Sequence, residues 1–213
     1  YRTDAWKKPG PMLLHGYGAY GDCGGGSEPN FDAGRLPLLD RGVCFAIAHV
    51  RGGCELGRQW YEDGKYLCKK NSVTDFIDCA EHLKNTGLVA PDRLAISGRS
   101  AGGLLMGAAL NMGNGLQLCR AVVTSVPFVD LMVTICDPSI PLTVTEWTEW
   151  GNCASPVRLR PSIPCSRLSP IHACNLGNPN SATYFEYMAS YSPMENVKKV
   201  DYPAMLVTAG LHD

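Results

Sequence analysis

Short apolar runs alternate along the chain with stretches whose apolar residues recur at helical spacing. Residues 43–50 are nearly all apolar and end at glycines, which is typical of a strand buried on both faces of a parallel sheet. Between residues 72 and 86, apolar side chains instead repeat every three or four positions, which predicts an amphipathic helix. The same pattern predicts further strands at 12–15, 93–97, 119–126 and 204–209, and a helix rich in small residues at 100–112.

The order of these elements predicts the fold class. Strand, helix, strand, helix, strand is the α/β arrangement, in which helical crossovers make the sheet parallel. One segment does not fit, because residues 153–177 contain four prolines and three cysteines and show little periodicity. We interpret residues 1–213 as one domain and 153–177 as an insertion, either a surface loop or an error in the gene model.

Charge and composition exclude several classes of protein. The 213 residues carry 19 basic and 20 acidic side chains, with a formal net charge of −1. Such a balance provides neither the basic field of a nucleic-acid-binding protein nor a polybasic membrane patch. The longest apolar region, at 104–112, is too short and too rich in glycine to cross a bilayer. We therefore expect a cytoplasmic protein without nucleic-acid or membrane partners.

The ten cysteines include no C-x-x-C pair, so their spacing indicates neither a zinc ribbon nor a thioredoxin-like site. Cys44, Cys79 and Cys119 lie within apolar runs and are expected to be small buried thiols. The three cysteines of the segment 153–177 would pair only in an oxidising compartment.

Residues 98–102 read Gly-Arg-Ser-Ala-Gly and match the pattern G-x-S-x-G. They follow a predicted strand and open a predicted helix, which is the setting of a nucleophile elbow. The serine of an elbow lies on a strained, tight turn, so the residues two positions away on either side must be small. We predict that Ser100 is a nucleophile and that the Ala101 amide, at the start of the helix, binds an oxyanion. The alternative is an ordinary helix-capping serine in a glycine-rich turn.

A catalytic triad built on such an elbow runs serine, then an acid, then histidine along the chain. The acid should follow a later strand, and Asp213 follows the strand predicted at 204–209. All five histidines precede Asp213; they are His15, His49, His82, His172 and His212. We therefore expect the base to lie outside this chain, and the 213 residues alone to hydrolyse little or nothing.

Several longer motifs carry a family resemblance. They are His-Gly-Tyr-Gly-Ala-Tyr-Gly at 15–21, Ala-His-Val-Arg-Gly-Gly at 48–53, Gly-Arg-Gln-Trp-Tyr-Glu-Asp-Gly at 57–64 and Gly-Arg-Ser-Ala-Gly-Gly at 98–103. In this order they resemble the prolyl oligopeptidase family of serine peptidases, and most closely its oligopeptidase B (protease II) branch. The resemblance covers nearly the whole chain except 153–177.

This resemblance implies an α/β-hydrolase fold, here incomplete at its C-terminal end, in a family whose catalytic domain is capped by a β-propeller. The 213 residues contain no propeller, so we expect a fragment of the catalytic domain. By position, Ser100 matches the nucleophile and Asp213 the triad acid. Tyr17 matches a tyrosine whose hydroxyl joins the Ala101 amide in the oxyanion hole, and a phenol can hydrogen-bond an alkoxide without carrying charge. No metal or organic cofactor is implied.

Glu146 bears on the substrate class. Its position resembles a proline-stacking tryptophan in prolyl oligopeptidase and, in oligopeptidase B, a glutamate that pairs with Arg or Lys at the P1 position. The resemblance thus implies a serine endopeptidase that cleaves short peptides after Arg or Lys through an acyl-enzyme. Oligopeptidase B often has a second carboxylate two positions on, where this chain has Thr148, which weakens the basic preference. Glu149 is interpreted as an exposed surface charge.

Other functions stay open at this point. The same elbow serves prolyl oligopeptidases, acyl-peptide hydrolases and carboxylesterases. The missing base favours a different class, a non-catalytic hydrolase-like binding protein. The sequence gives neither the physiological peptide nor the oligomeric state.

Overall fold

The computed structural model describes residues 4–22, 31–151 and 182–210. Within them five strands form one parallel sheet, in the spatial order β2-β1-β3-β4-β5. The strands are β1 (Gly10–His15), β2 (Cys44–Ile47), β3 (Val89–Arg99), β4 (Ala121–Ser125) and β5 (Ala204–Thr208). The parallel sheet with connecting helices confirms the predicted α/β class. The carboxyl end of β3, in the centre, is where the elbow begins.

The helices connect and cover these strands. They are α1 (Leu36–Asp40), α2 (Arg58–Glu62), α3 (Lys70–Asn85), α4 (Ala101–Met112), α5 (Leu131–Cys136), α6 (Thr143–Trp150) and α7 (Ala182–Ala189). Short 3-10 turns lie at Ala33–Arg35, Tyr66–Cys68, Gly115–Gln117 and Met194–Asn196. Helix α3 buries one face, through Val73, Phe76 and Ala80, as its periodicity predicts.

Helix α4 lies between two hydrophobic clusters. Met106 belongs to a cluster that the sheet and α3 build, with Leu14, Phe76 and Ile96. Leu104, on the other side of the helix, belongs to a second cluster formed with α5, α6 and α7. Because almost every residue of α4 is buried, the helix that follows Ser100 is fixed from both sides.

Two predicted strands differ from the observed ones. Strand β3 begins at Val89, before the predicted residues 93–97, because Val89 pairs with Gly10 of β1. Residues 91–93 are exposed and interrupt the apolar run, so the sequence did not indicate this early start. Strand β2 ends at Ile47, although Ala48 and Val50 are apolar. The Ala48 amide still donates to the His15 carbonyl at 2.9 Å, and both residues are buried as the chain leaves the sheet. Their burial gave the same signal as a longer strand.

The cysteines follow the prediction in part. Cys44 and Cys119 are free and buried, as expected, and Cys79 is free and half-buried. Cys54 and Cys68 are disulfide-bonded, which the sequence analysis did not predict. The cytoplasmic location expected from the sequence stays a prediction.

Some predictions fall on residues outside the described ranges. They concern the insertion at 153–177, the triad acid Asp213, and the two histidines His172 and His212. In the three described ranges, no helix is long and apolar enough to cross a membrane.

His15, the last residue of β1, makes the stability of the fold depend on pH. Burial, and secondarily the charge of Arg35, lower the pKa of His15 below its usual 6.5, and its Nδ1 lies 3.0 Å from Ser97 Oγ. The unfolded chain therefore binds this proton more readily, so the stabilisation is complete above pH 6.5 and declines as the pH falls towards the folded pKa.

We expect His15→Asn to flatten this dependence. Urea unfolding of the full-length gene product at about pH 7.5 and about pH 5.5 should show a smaller loss of unfolding free energy in the variant, by at most about 1.4 kcal/mol per pH unit. The matched control is His82→Asn, because His82 is exposed on α3. An equal loss in wild type and His15→Asn would contradict the assignment.

Candidate active site

Ser100 lies between the last residue of β3 and the first residue of α4, on a strained turn. Its φ of 52° and ψ of −119° place a non-glycine residue in a region that side chains rarely adopt. The Ser100 amide donates to the Ser125 carbonyl at 3.0 Å, and the Phe128 amide donates to the Ser100 carbonyl at 3.0 Å. The turn is thus held by β4 and the loop after it.

The small residues around Ser100 have a steric cause. A Cβ on Gly98 would lie 2.2 Å from the Gly102 carbonyl oxygen, and one on Gly102 would lie 2.7 Å from the Gly16 carbonyl oxygen. A Cβ on Gly103 would lie 2.4 Å from the Cβ of Pro127. The turn therefore closes only with glycine at these positions, which accounts for the motif G-x-S-x-G-G.

Two donor groups lie beside the turn. The Ala101 amide belongs to the first turn of α4, whose N–H groups have no acceptor within the helix and carry its positive dipole end. Tyr17 is half-buried against the same turn, with ring Cδ2 3.3 Å from where a Cβ on Gly102 would lie. Burial, with the charges of Asp22, Glu146 and Glu149, raises the pKa of Tyr17 to about 12. Its hydroxyl is therefore a donor at neutral pH.

Ser100 opens into a cavity of about 380 Å³. Glu146 and Tyr20 form part of its wall, and Val126, Phe128 and Leu142 supply apolar surface. The structure thus brings Ser100 and Glu146, which are 46 positions apart in sequence, to one cavity. Tyr17 is not among the described residues that line it.

Backbone strain concentrates around this cavity. Tyr20, Ser100, Val126 and Leu142 line it and have φ values of 62°, 52°, 44° and 71°. A positive φ is costly for any of them, and most of all for the β-branched Val126. Such residues persist where the surrounding structure enforces them, which is typical of functional sites. Nothing in the sequence marks Val126 or Leu142 as strained.

The carboxylate of Glu146 is held by two donors. The Tyr20 hydroxyl donates to Glu146 Oε2 at 2.5 Å, and the Trp150 indole Nε1 donates to the same oxygen at 2.6 Å. Trp150 is four residues further along α6, so the helix itself aligns the two side chains. Sequence analysis did not identify Tyr20 or Trp150 as site residues. The spacing of four was the signal for Trp150, whereas Tyr20 is 126 positions away and gave none.

The interpretation of Glu149 as an exposed charge is wrong. Its side chain is 0% exposed and accepts a hydrogen bond from Lys69 Nζ at 2.7 Å. Positions 146, 149 and 150 lie on the same side of helix α6, which faces the interior. Thr148, where related enzymes often have a second carboxylate, is exposed and donates to the Thr145 carbonyl instead.

The described histidines do not reach the cavity. The His15 ring is hydrogen-bonded to the Ser97 hydroxyl, and His49 and His82 are exposed. None of these three, and hence no histidine of the described residues, lines the cavity into which Ser100 opens. Those residues also contain no group of three His, Cys, Asp or Glu side chains that could hold a metal ion.

Comparison with known proteins places this geometry in a family. Residues 29–169 match the model of the prolyl oligopeptidase family. The chain is 44% identical over 205 residues to Protease 2 of Moraxella lacunata, covering 96% of this chain and 25% of that protein. It is 42% identical over 214 residues to dipeptidyl aminopeptidase BI of Pseudoxanthomonas mexicana, covering 100% of this chain and 25% of that protein.

A solved structure agrees with these matches. Oligopeptidase B from Leishmania major superposes with a TM-score of 0.82 and 48% identity, covering 100% of this chain and 26% of that one. The chain thus spans about a quarter of the length of these relatives, and the likeness confirms the expected α/β-hydrolase fold. Because the family model matches most of the sequence and the identity extends over nearly all of it, the chain belongs to the prolyl oligopeptidase family.

Proposed function

We propose that this chain carries the nucleophile and the P1-binding carboxylate of a serine oligopeptidase that cleaves short peptides after Arg or Lys. The observation that carries the proposal is the single cavity that holds both the strained Ser100 and the fixed carboxylate of Glu146. The family membership and the likeness to oligopeptidase B support the reaction class.

In the proposed reaction, Ser100 Oγ attacks the carbonyl carbon of the scissile peptide. Its proton passes to a base supplied from outside the described residues, with Asp213 as the acid that orients that base. The carbonyl oxygen becomes an oxyanion and accepts hydrogen bonds from the Tyr17 hydroxyl and the Ala101 amide. The tetrahedral intermediate collapses, the base returns the proton to the leaving amine, and an acyl-enzyme on Ser100 remains. Water then releases the acid and restores the serine.

The cavity also suits a basic side chain. A carboxylate accepts about four hydrogen bonds, and Tyr20 and Trp150 use two of those on Glu146. Acceptor capacity is therefore left for a guanidinium or an ammonium group, which needs an anion when it leaves water. The apolar walls at Phe128 and Leu142 match the methylene stem of such a residue.

Glu146→Gln tests this assignment. It keeps the size of the side chain and removes its charge, so kcat/KM for a Lys- or Arg-anilide should fall relative to an uncharged analogue. We expect the ratio to drop roughly 10- to 100-fold, as for the loss of a charged hydrogen bond. The measurement is made on the full-length gene product, with Glu186→Gln, an exposed glutamate of α7, as the control. An unchanged ratio in Glu146→Gln would show that Glu146 does not bind the P1 side chain.

The 42% identity to dipeptidyl aminopeptidase BI makes a second function specific enough to test. A dipeptidyl aminopeptidase requires a free amino terminus, whereas an endopeptidase does not. Hydrolysis of an N-blocked Arg-anilide supports the endopeptidase, and cleavage of only the unblocked dipeptide anilide supports the alternative. Proline anilides and short-chain esters, run in parallel, test for a prolyl oligopeptidase or an esterase. If the chain hydrolyses none of these substrates, the result supports the non-catalytic binding protein instead.

A further inference from the structure

A buried ion pair lies behind the site, and the reaction proposed above does not use it. Lys69 is 3% exposed and Glu149 is 0% exposed, and Lys69 Nζ lies 2.7 Å from Glu149 Oε1. Removal from water raises the pKa of Glu149 and lowers the pKa of Lys69, while their mutual attraction opposes both shifts. A buried ion pair of this kind contributes little net stability, because desolvation offsets the attraction.

Lys69 also bonds to the backbone of a short loop. Its Nζ donates to the Gly18 carbonyl at 2.7 Å. We call residues 17–20 the tyrosine loop, so this bond lies between Tyr17 and Tyr20. The Tyr20 amide and the Tyr61 side chain oppose the rise in the pKa of Glu149, so both face its carboxyl group.

The tyrosine loop needs such support. Gly18 has a φ of 68° and Tyr20 a φ of 62°, so two of its four residues have left-handed backbone. This backbone conformation costs free energy at Tyr20 because it is not a glycine, so surrounding contacts must stabilise it. Charge-assisted hydrogen bonds in a water-excluded site are among the strongest contacts available for this purpose.

The same pair connects the loop to α6. Glu149 is one helical turn after Glu146, and Lys69 Nζ lies 4.7 Å from the centre of the Trp150 ring. Tyr20 and Trp150 are the two donors to Glu146. The ion pair therefore contacts the backbone beside one proposed oxyanion donor, Tyr17, and the ring of Trp150, one of the two partners of the proposed P1 carboxylate.

We propose that Lys69 and Glu149 are positioning residues that hold the tyrosine loop in register with α6. They keep the Tyr17 hydroxyl at the oxyanion position and the Tyr20 hydroxyl on Glu146, without touching the substrate. This inference rests on the proposed function, since it presumes that Tyr17 and Glu146 have the roles given above.

The test is a variant that removes both charges together. Single substitutions leave one buried charge without a partner and are expected to lower stability. Lys69→Met with Glu149→Leu replaces the pair with apolar groups of similar volume, so stability should largely return. The hydrogen bond from Lys69 to the Gly18 carbonyl is lost in the double variant. We expect kcat on an N-blocked Arg-anilide to stay about 10- to 100-fold below wild type, with a reduced preference for Arg.

Two controls separate positioning from stability. Leu118→Ala, at a buried residue shortly before β4 that does not line the cavity, should be destabilised but keep its kcat at a temperature where it is folded. In a Tyr17→Phe background, removing the pair should cost much less than in wild type, because the residue that it positions is already disabled. If the double variant does not fold by circular dichroism, Lys69→Met carries the same comparison, because it removes the hydrogen bond to the Gly18 carbonyl.

The outcomes are distinct. Wild-type kcat and wild-type Arg preference in a folded double variant would overturn the positioning role and leave the proposed function standing. A wild-type protein that hydrolyses no Arg-anilide would overturn the proposed function itself. A lowered kcat that is the same in both Tyr17 backgrounds would show that the pair acts on something other than Tyr17, and would also contradict the proposal.

Discussion

Replacing Ser100 with alanine is expected to lower kcat about 10⁶-fold, which is the loss typical of removing a serine nucleophile. The turn should survive, because its strain is set by the backbone and the surrounding contacts more than by the hydroxyl. KM should change little, since the cavity walls are untouched. The measurement is steady-state hydrolysis of an N-blocked Arg-anilide by the full-length gene product, together with labelling by a fluorophosphonate probe.

The matched control is Ser139→Ala. Ser139 is exposed, its hydroxyl donates to Asp137, and it is not among the described residues that line the cavity. This variant should keep both hydrolysis and labelling, whereas Ser100→Ala should lose both. Labelling that persists in Ser100→Ala would show that the nucleophile is a different residue, and the proposed mechanism would be wrong.

Tyr17→Phe should have the second-largest effect, a fall in kcat of about 10²- to 10³-fold, as for removal of one oxyanion donor. KM should change little, because the donor acts on the charge that develops in the transition state. The pKa of Tyr17 is raised to about 12, so the phenol keeps its proton over the working range. The ratio of wild-type to variant kcat should therefore be constant from about pH 7 to about pH 10.

Tyr202→Phe is the corresponding control. The Tyr202 hydroxyl donates to Asn111 at the far end of α4, so its loss should leave kcat unchanged. If Tyr17→Phe raised KM and left kcat alone, the hydroxyl would be a contact of the bound substrate and the oxyanion assignment would be wrong.

The fold could largely be predicted because its signals are local. Apolar runs and a helical period located three of the five described strands and both long helices to within two residues. The predicted ends of two strands were wrong where burial and strand pairing do not coincide. Ala48 and Val50 are buried beyond the end of β2, and exposed residues at 91–93 interrupt the apolar pattern between the paired Val89 and Leu94 of β3.

The residues of the proposed site could be identified from the sequence only where they fall into a motif. Ser100 and Ala101 followed from five consecutive residues, and Tyr17 and Glu146 from a family resemblance. Tyr20 and the pair Lys69–Glu149 escaped because their contacts join positions 126 and 80 residues apart. Glu149 was misjudged because a charged residue is exposed far more often than it is buried.

The fixed carboxylate of Glu146 also matters for inhibitor design. Its orientation is set by Tyr20 and Trp150 before any ligand binds. A compound that binds Glu146 would therefore lose less affinity to the ordering of this side chain. An amidine seated on Glu146 and an electrophile such as a boronate directed at Ser100 would share one cavity. The rigidity of the linker between those two groups would then govern potency more than added apolar bulk.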